Sequence, residues 1–390
     1  MEGRGEAGTR VLALLWHAPQ QVIAAGGFRR AFEVLARTPQ GFEVVALDDS
    51  PTFLGGLGTD RVRVLEYGIP RLLRALEVRL FTFERLLEWV VATLAMSWHI
   101  LVMKLRGERF EVVYVPSSEQ LPALIAGILA GWLFSARLVA CNTNIDIFPG
   151  RARRLVALMH NPADRVIAIS EHLAGELKAY GTRAPIMVNG VGLDLEDIAH
   201  ARGAEAPEKR YDAVFVGRHD RTKGVFELVD IWGRVASERE GATLLMIGAC
   251  APAVHARLES AILRLGIEEN VVLAGTVPDE EKFEMMSASR VCLFPSRVEE
   301  WGIVPQEALA CGLPVVAFDL PAYRENIRGC PGVFTLPVGD LEGMTRKTLE
   351  LLAEEDLDRF SRSGPEFVCR FDWDGVAERE FEILGGEGPA

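Results

Sequence analysis

The sequence predicts an α/β protein of two consecutive parallel-sheet domains, and three observations carry that prediction. The chain has 390 residues, 49% of them hydrophobic, which is ample for two cores of ordinary size. Short runs rich in β-branched residues alternate with longer amphipathic stretches, the rhythm of strands covered by helices. That rhythm breaks in a polar stretch around residue 200 and then begins again.

In the first half, strands are expected at Val11–Leu15, Phe42–Leu47, Glu111–Val115, Arg137–Ala140, Arg165–Ile169 and Ile186–Val188. Helices between them are expected at Phe28–Arg37, Leu121–Phe134 and Glu171–Tyr180. After the break, strands are expected at Ala213–Val216, Leu244–Ile247, Val271–Ala274, Val291–Phe294, Val315–Phe318 and Val333–Thr335. The resulting division is a first domain over 1–193, a linker over 194–210, a second domain over 211–365, and a last helix within 366–390 that crosses back to the first domain. Such sheets bind ligands at the carboxyl ends of their strands.

Composition removes several function classes. Residues 1–190 carry 21 Lys/Arg and 18 Asp/Glu, whereas residues 191–390 carry 21 and 37, so the net charge of −13 falls on the second half. Without a concentrated basic stripe, a nucleic-acid partner is not expected. The mildly basic first half tolerates an anionic membrane or acceptor. Six cysteines, at 141, 250, 292, 311, 330 and 369, show no paired spacing, which argues against a zinc ribbon or a disulfide framework and for a reducing compartment. The apolar run Val11–Trp16 is too short for a signal-peptide core, so the cytoplasm is the expected location.

Two apolar stretches stand apart. Trp89–Met103 holds 15 residues without a formal charge and Leu121–Ala136 holds 16, each short of the ~20 that span a bilayer. Buried helices of the first domain are one reading. The other is an interfacial element, because Arg74, Arg79, Arg85, Lys104, Arg106 and Arg109 flank the first stretch; it makes residues 74–109 a peripheral contact with the inner face of the cytoplasmic membrane. Arg151, Arg153 and Arg154 form a second small basic group.

Four constellations carry chemistry. Gly217-Arg218-His219-Asp220-Arg221-Thr222-Lys223-Gly224 follows a strand, and there Gly217 permits a sharp turn while Arg218 and Lys223 set two cations against a diphosphate. His219 is a further phosphate contact on spacing. The segment from Phe294 to Pro314 places Glu299 in a loop and Glu307 in the helix after it, two carboxylates suited to vicinal hydroxyls. Asn189-Gly190-Val191-Gly192 makes a turn where the first domain ends. Gly26-Gly27 brings backbone amides toward a ligand, but the Gly-x-Gly-x-x-Gly spacing of a dinucleotide site is absent.

In this order the pieces resemble the retaining GT-B glycosyltransferases of the large glycogen-synthase-like and sucrose-synthase-like group, often called family four. Gly26-Gly27, Ser170-Glu171-His172, Asn189-Gly190-Val191, Gly217-Arg218 with Lys223-Gly224, and Glu299 with Glu307 carry the resemblance. Ala308 to Ala317, Glu325 and Pro337-Val338-Gly339-Asp340 extend it over nearly the whole chain. The resemblance implies two Rossmann-like domains facing each other across a cleft. It further implies transfer of a sugar from a nucleotide-diphosphate donor, GDP-mannose or UDP-glucose, with retention through front-face attack. Arg218 and Lys223 would hold the diphosphate, Glu307 the ribose and Glu299 the transferred sugar. Gly217, Gly302, Ile303 and Val304 would line sugar and phosphate, Gly26 and Gly27 would close from the first domain, and Asn189 and Gly190 would form a hinge-side wall.

No cofactor and no essential metal are expected, since two side-chain cations and helix amides replace a divalent ion at a diphosphate. The acceptor is lipid-linked or small and soluble. The chain departs from the group in the first domain, where Cys141-Asn142-Thr143 and Pro116-Ser117-Ser118-Glu119-Gln120 lack the usual histidines, leaving acceptor activation unassigned. It departs again at Glu300-Trp301 and at Leu320-Pro321-Ala322-Tyr323. A nucleotide-sugar epimerase or phosphorylase on the same fold, or a silent sugar-nucleotide-binding module, are the alternatives.

Overall fold

The computed structural model describes residues 8–16, 26–49, 54, 56–67, 83–203, 208–354 and 357–386. The chain divides into two compact units, Met1–Gly192 with Trp373–Ala390, and Leu193–Asp372.

The first unit is built on a seven-stranded parallel sheet in the order β3-β2-β1-β4-β5-β6-β7. Its strands are β1 (Thr9–Leu14), β2 (Phe42–Asp48), β3 (Val62–Glu66), β4 (Val112–Val115), β5 (Arg137–Asn142), β6 (Arg165–Ala168) and β7 (Ile186–Val188). Val11, Leu12, Val112, Val113, Val166 and Ile167 are fully buried, as expected for strands covered on both faces. Strand β3, at one edge, escapes the sequence reading because its short run is interrupted by charged residues. Arg63 and Glu66 are exposed among the half-buried Val62, Val64 and Leu65, and such charges guard an unpaired edge.

Helices α1 (Gly26–Ala36), α2 (Phe83–Leu105), α3 (Leu121–Phe134), α4 (Arg151–Met159) and α5 (Glu171–Tyr180) connect these strands. Ser170 caps α5 by accepting from the Leu173 amide at 3.1 Å, and Gly181 closes it in the left-handed conformation, the expected start and stop.

The second unit carries a six-stranded parallel sheet in the order β10-β9-β8-β11-β12-β13. Its strands are β8 (Tyr211–Val216), β9 (Leu244–Ile247), β10 (Val271–Gly275), β11 (Ser289–Phe294), β12 (Val315–Phe318) and β13 (Val333–Leu336). Around it lie α6 (Leu195–Arg202), α7 (Val225–Glu238), α8 (Pro252–Leu265), α9 (Asp279–Ser287), α10 (Ile303–Ala310), α11 (Tyr323–Asn326), α12 (Leu341–Ala353) and α13 (Asp358–Val368). Both strand orders reverse direction at one point, between β1 and β4 and between β8 and β11. That is where open α/β sheets hold their ligands.

One segment differs from its sequence reading. The expected linker contains helix α6, whose Ile198 is 1% exposed in the second domain's core. The last helix, α14 (Trp373–Gly385), belongs to the first unit, where Phe381 meets Phe42 edge-on at 5.0 Å.

An ion pair inside the first unit anchors α14. Arg30 of α1 and Glu380 of α14 are both 0% exposed and meet at 2.6 Å. Glu380 also accepts from the Tyr114 hydroxyl at 2.5 Å and from Asn189 Nδ2 at 2.6 Å. Burial alone would raise the Glu380 carboxyl, but Arg30 and these donors hold it below the usual range.

Candidate functional site

At the switch point of the second sheet, two loops are pressed together. The β8–α7 loop ends at Gly224 (φ +70°), where a Cβ would lie 2.0 Å from the carbonyl oxygen of Pro295 in the β11–α10 loop. Only glycine fits both the dihedral and the approach. The Arg297 amide then donates to Thr222 O at 2.8 Å. Asp220 Oδ1 accepts from the Thr222 amide, the Thr222 hydroxyl and the Lys223 amide, an Asx-type turn that fixes the loop from within. Burial works against the ionised Asp220, yet the Thr222 hydroxyl, the Lys223 amide and Arg218 lower its pKa.

This stitching sets Lys223 Nζ 2.5 Å from Glu299 Oε1, which also accepts from the Ser296 hydroxyl at 2.7 Å. Both side chains are mostly buried, at 19% and 9% exposure. Gly302, at φ +82°, begins α10, and a Cβ there would strike the Tyr323 ring at 2.5 Å. Ile303 and Val304 form the first helical turn, and Glu307 follows one turn later, 3% exposed. The buried Tyr323 hydroxyl has no hydrogen-bond partner among the described residues. Its pKa is raised well above the usual value by burial and then by the charge of Glu299.

One member of this group escaped the sequence reading. Lys282 of α9 donates to Glu307 Oε1 at 2.9 Å and to Asp279 Oδ1 at 2.9 Å. Burial alone would lower the Lys282 pKa, but Glu307 and then Asp279 raise it. The signal was a lone lysine in the acidic first turn of α9, directly before the buried Phe283. Trp301, at the departure from the family pattern, is 8% exposed. Its indole donates to Gln306 Oε1 at 2.7 Å, and its carbonyl accepts from Asn326 Nδ2, so the larger ring braces the loop that carries Glu299.

The structure thus gathers Gly217, Lys223, Glu299, Gly302, Ile303, Val304 and Glu307 on the carboxyl edge of one sheet. Arg218 is on that edge too, but its side chain is 73% exposed and its ion-pair partner is Asp220, at 3.5 Å. His219 is 4% exposed and packs near Phe215.

The first-domain residues fall elsewhere. Asn189 does not form an open wall: its amide donates to both Glu380 and the Val376 carbonyl, and it is 6% exposed. The Gly190 carbonyl accepts from Arg30 Nε at 2.9 Å. Both groups are taken up in seating α14. Gly26 and Gly27 open α1, where a Cβ on Gly27 would lie 2.6 Å from Thr143 Oγ1 and 3.3 Å from Glu119 Oε1. On the same edge the Ser118 hydroxyl and His160 Nε2 are 2.7 Å apart, while His160 Nδ1 faces the Val156 carbonyl at 2.8 Å. Burial lowers the His160 pKa to about 4, so the neutral ring donates to Val156 and accepts from Ser118.

Helix α2 has two apolar faces. Ala92, Met96, Ile100 and Met103 are buried, while Leu86, Val90, Leu94, Trp98 and Leu105 are 47–77% exposed. Leu86–Leu105 is 20 residues long with mean hydropathy 1.6, and 28% of its most apolar window is buried. The helix packs on α3, which adds the exposed Ile125, Leu129 and Trp132. Lys104, Arg106 and Arg109 are exposed at its C-terminal end. Arg74 and Arg79 lie outside the described residues.

Residues 197–365 match the family model Glycosyl transferases group 1. The phosphatidyl-myo-inositol mannosyltransferase of Mycobacterium leprae is 31% identical over 222 residues, covering 55% of this chain and 57% of that enzyme. The chain thus spans little more than half the length of that relative. The 2-deoxystreptamine N-acetyl-D-glucosaminyltransferase of Streptomyces fradiae is 25% identical, covering 71% of each chain. Among solved structures, HepE of Anabaena in complex with UDP and glucose superposes with a TM-score of 0.74 at 18% identity, covering 97% of this chain and 100% of that one. The fold is GT-B, with two Rossmann-like domains.

Proposed function

We propose that this GT-B protein, whose second domain belongs to the group 1 glycosyltransferases, transfers a hexose from a nucleotide-diphosphate sugar to a ring hydroxyl of a membrane-borne acceptor. The observation that carries the reading is the Lys223–Glu299–Glu307 group at the switch point of the second sheet. It puts one cation and two carboxylates where a sugar nucleotide needs a phosphate contact and two hydroxyl contacts.

Arg218, exposed beside Asp220, and Lys223 neutralise the diphosphate and the charge that grows on it as the sugar departs. These two cations and the α10 amides take the place of a divalent ion, and no cofactor enters. Glu307, steadied by Lys282, accepts from the ribose hydroxyls. Glu299 accepts from the sugar, and Lys223 beside it keeps the sugar and phosphate subsites adjacent. The acceptor hydroxyl attacks on the face the diphosphate leaves, so the configuration is retained and no enzymic nucleophile is needed.

The exposed apolar face of α2 and α3 supports a lipid-linked acceptor over a soluble one. An apolar surface of this extent with a basic end suits an anionic bilayer surface, and the chain works at the inner face of the cytoplasmic membrane. Acceptors named for two relatives, phosphatidyl-myo-inositol and 2-deoxystreptamine, share a polyhydroxylated six-membered carbocycle, the chemistry proposed here. GDP-mannose and UDP-glucose are the donors to test. In a transfer assay with each, proton NMR of the first product should show the donor's anomeric configuration. An inverted product contradicts the mechanism.

A further inference from the structure

The first domain has a polar group of its own at its switch point, between the ends of β1 and β4. Glu119 follows β4 and Thr143 follows β5. The Thr143 hydroxyl donates to Glu119 Oε1 at 2.7 Å and its amide donates to Oε2 at 3.2 Å. Gly27 opens the helix after β1, and the space its side chain would fill is taken by Thr143 Oγ1 and bordered by Glu119 Oε1. Three connections, after β1, β4 and β5, therefore converge on one carboxylate. Glu119 and Thr143 keep only 7% and 8% exposure.

The surroundings are those of a binding edge. The Ser117 hydroxyl and Asn142 Oδ1, within two positions of this group in sequence, are buried without hydrogen-bond partners among the described residues. Native proteins rarely leave such atoms unpaired. Behind them the Ser118–His160 pair and the Asn142 amide, 3.4 Å from Ser118 Oγ, brace the loop ends. Burial raises the Glu119 pKa, against the pull of the Thr143 hydroxyl.

We propose that Glu119, fixed by Thr143 against Gly27, is the acceptor-recognition residue of this chain and takes hydrogen bonds from hydroxyl groups of the acceptor ring. The assignment rests on the glycosyltransferase reading above. A carboxylate that spends one oxygen on a hydroxyl and the other on an amide keeps lone pairs for further hydroxyl donors. It repels a phosphate, so it holds the ring and not the headgroup phosphate of a lipid-linked acceptor.

The test uses the full chain with three variants, Glu119→Gln, Thr143→Val and Thr143→Ser. Phosphatidylinositol in detergent and 2-deoxystreptamine serve as acceptor probes, and donor binding is followed by thermal stabilisation. Glu119→Gln is expected to lower kcat/KM for the acceptor by about 10- to 100-fold, the effect of losing hydrogen bonds to a charged group, with donor stabilisation unchanged. Thr143→Val should raise the acceptor KM, and Thr143→Ser, which keeps the hydroxyl, should restore it. Wild-type acceptor kinetics in Glu119→Gln alongside intact donor stabilisation would overturn the assignment and leave the enzyme reading standing. Absence of transfer to both probes by a donor-binding wild type overturns the ring-hydroxyl assignment. Absence of donor stabilisation in the wild type removes the enzyme reading and Glu119's role with it.

Discussion

Replacing Glu380 by Gln should unfold the first domain at a much lower temperature. The carboxylate is 0% exposed and accepts from Arg30 Nη1 at 3.0 Å, Arg30 Nη2 at 2.6 Å, Tyr114 at 2.5 Å and Asn189 at 2.6 Å. Glutamine has nearly the same shape, but its amide nitrogen would face donors on whichever side it points. It also leaves the Arg30 guanidinium buried without a counter-charge. Breaking one side of such a pair costs about 3–5 kcal/mol. For a domain of roughly 200 residues each kcal/mol is worth about 2–4 °C, so the first-domain transition should fall by about 6–20 °C. Scanning calorimetry measures it, and hydrogen exchange should show residues 373–385 losing protection first. Glu382→Gln on the same helix, whose partner Arg379 is half exposed, should change little. An unchanged transition in Glu380→Gln would refute the claim that this ion pair seats α14.

Acid should weaken the same domain through His160. Its folded pKa of about 4 lies below the ~6.5 of an unfolded histidine, so stability is full above pH 6.5 and is lost as pH falls toward 4. Between pH 7 and pH 5 the loss is about 2 kcal/mol, and His160→Gln should flatten that slope in a melting series. Glu380 adds a second loss at lower pH, because its depressed pKa gives stability that is present above the ordinary carboxylate range and disappears as pH falls through the folded value. At the surface, Leu94→Glu with Trp98→Glu should reduce co-sedimentation with anionic vesicles by at least about 10-fold, since each removes ~1–2 kcal/mol of apolar burial. The fold should be untouched, as both side chains are more than 60% exposed. Equal co-sedimentation of the double variant would exclude this face as the lipid contact.

The sequence showed the fold where strands are buried on both faces, because Val112–Val115, Ala213–Val216, Val291–Phe294 and Val315–Phe318 read as unbroken apolar runs. It hid the edge strand β3, whose five residues include the charged Arg63 and Glu66 and look like a loop. It also hid α6, whose eight residues bury only Ile198. At the donor side, Gly217, Gly224 and Gly302 could be found because a positive φ leaves a glycine in the sequence, and Glu299 and Glu307 because their spacing is fixed by one loop and one helical turn. Lys282, Arg30 and Glu380 could not. Each draws its role from a partner 25 to 350 residues away, and separation of that kind leaves no local pattern. Asn189 stood in a glycine-rich turn and looked like a ligand contact; the partner that claims it, Glu380, is on the last helix.

The central claim, a sugar-nucleotide pocket at the switch point of the second sheet, is tested most directly by thermal stabilisation with a panel of nucleotide sugars. At concentrations near 100 times Kd, a true donor should add about 2.7 kcal/mol to the second domain, and Glu307→Ala should abolish the shift, its unliganded form melting lower because Lys282 loses a partner but still unfolding cooperatively. If no nucleotide sugar raises the melting temperature at millimolar concentration, or if Glu307→Ala is stabilised as strongly as the wild type, the pocket assigned to Lys223, Glu299 and Glu307 is wrong.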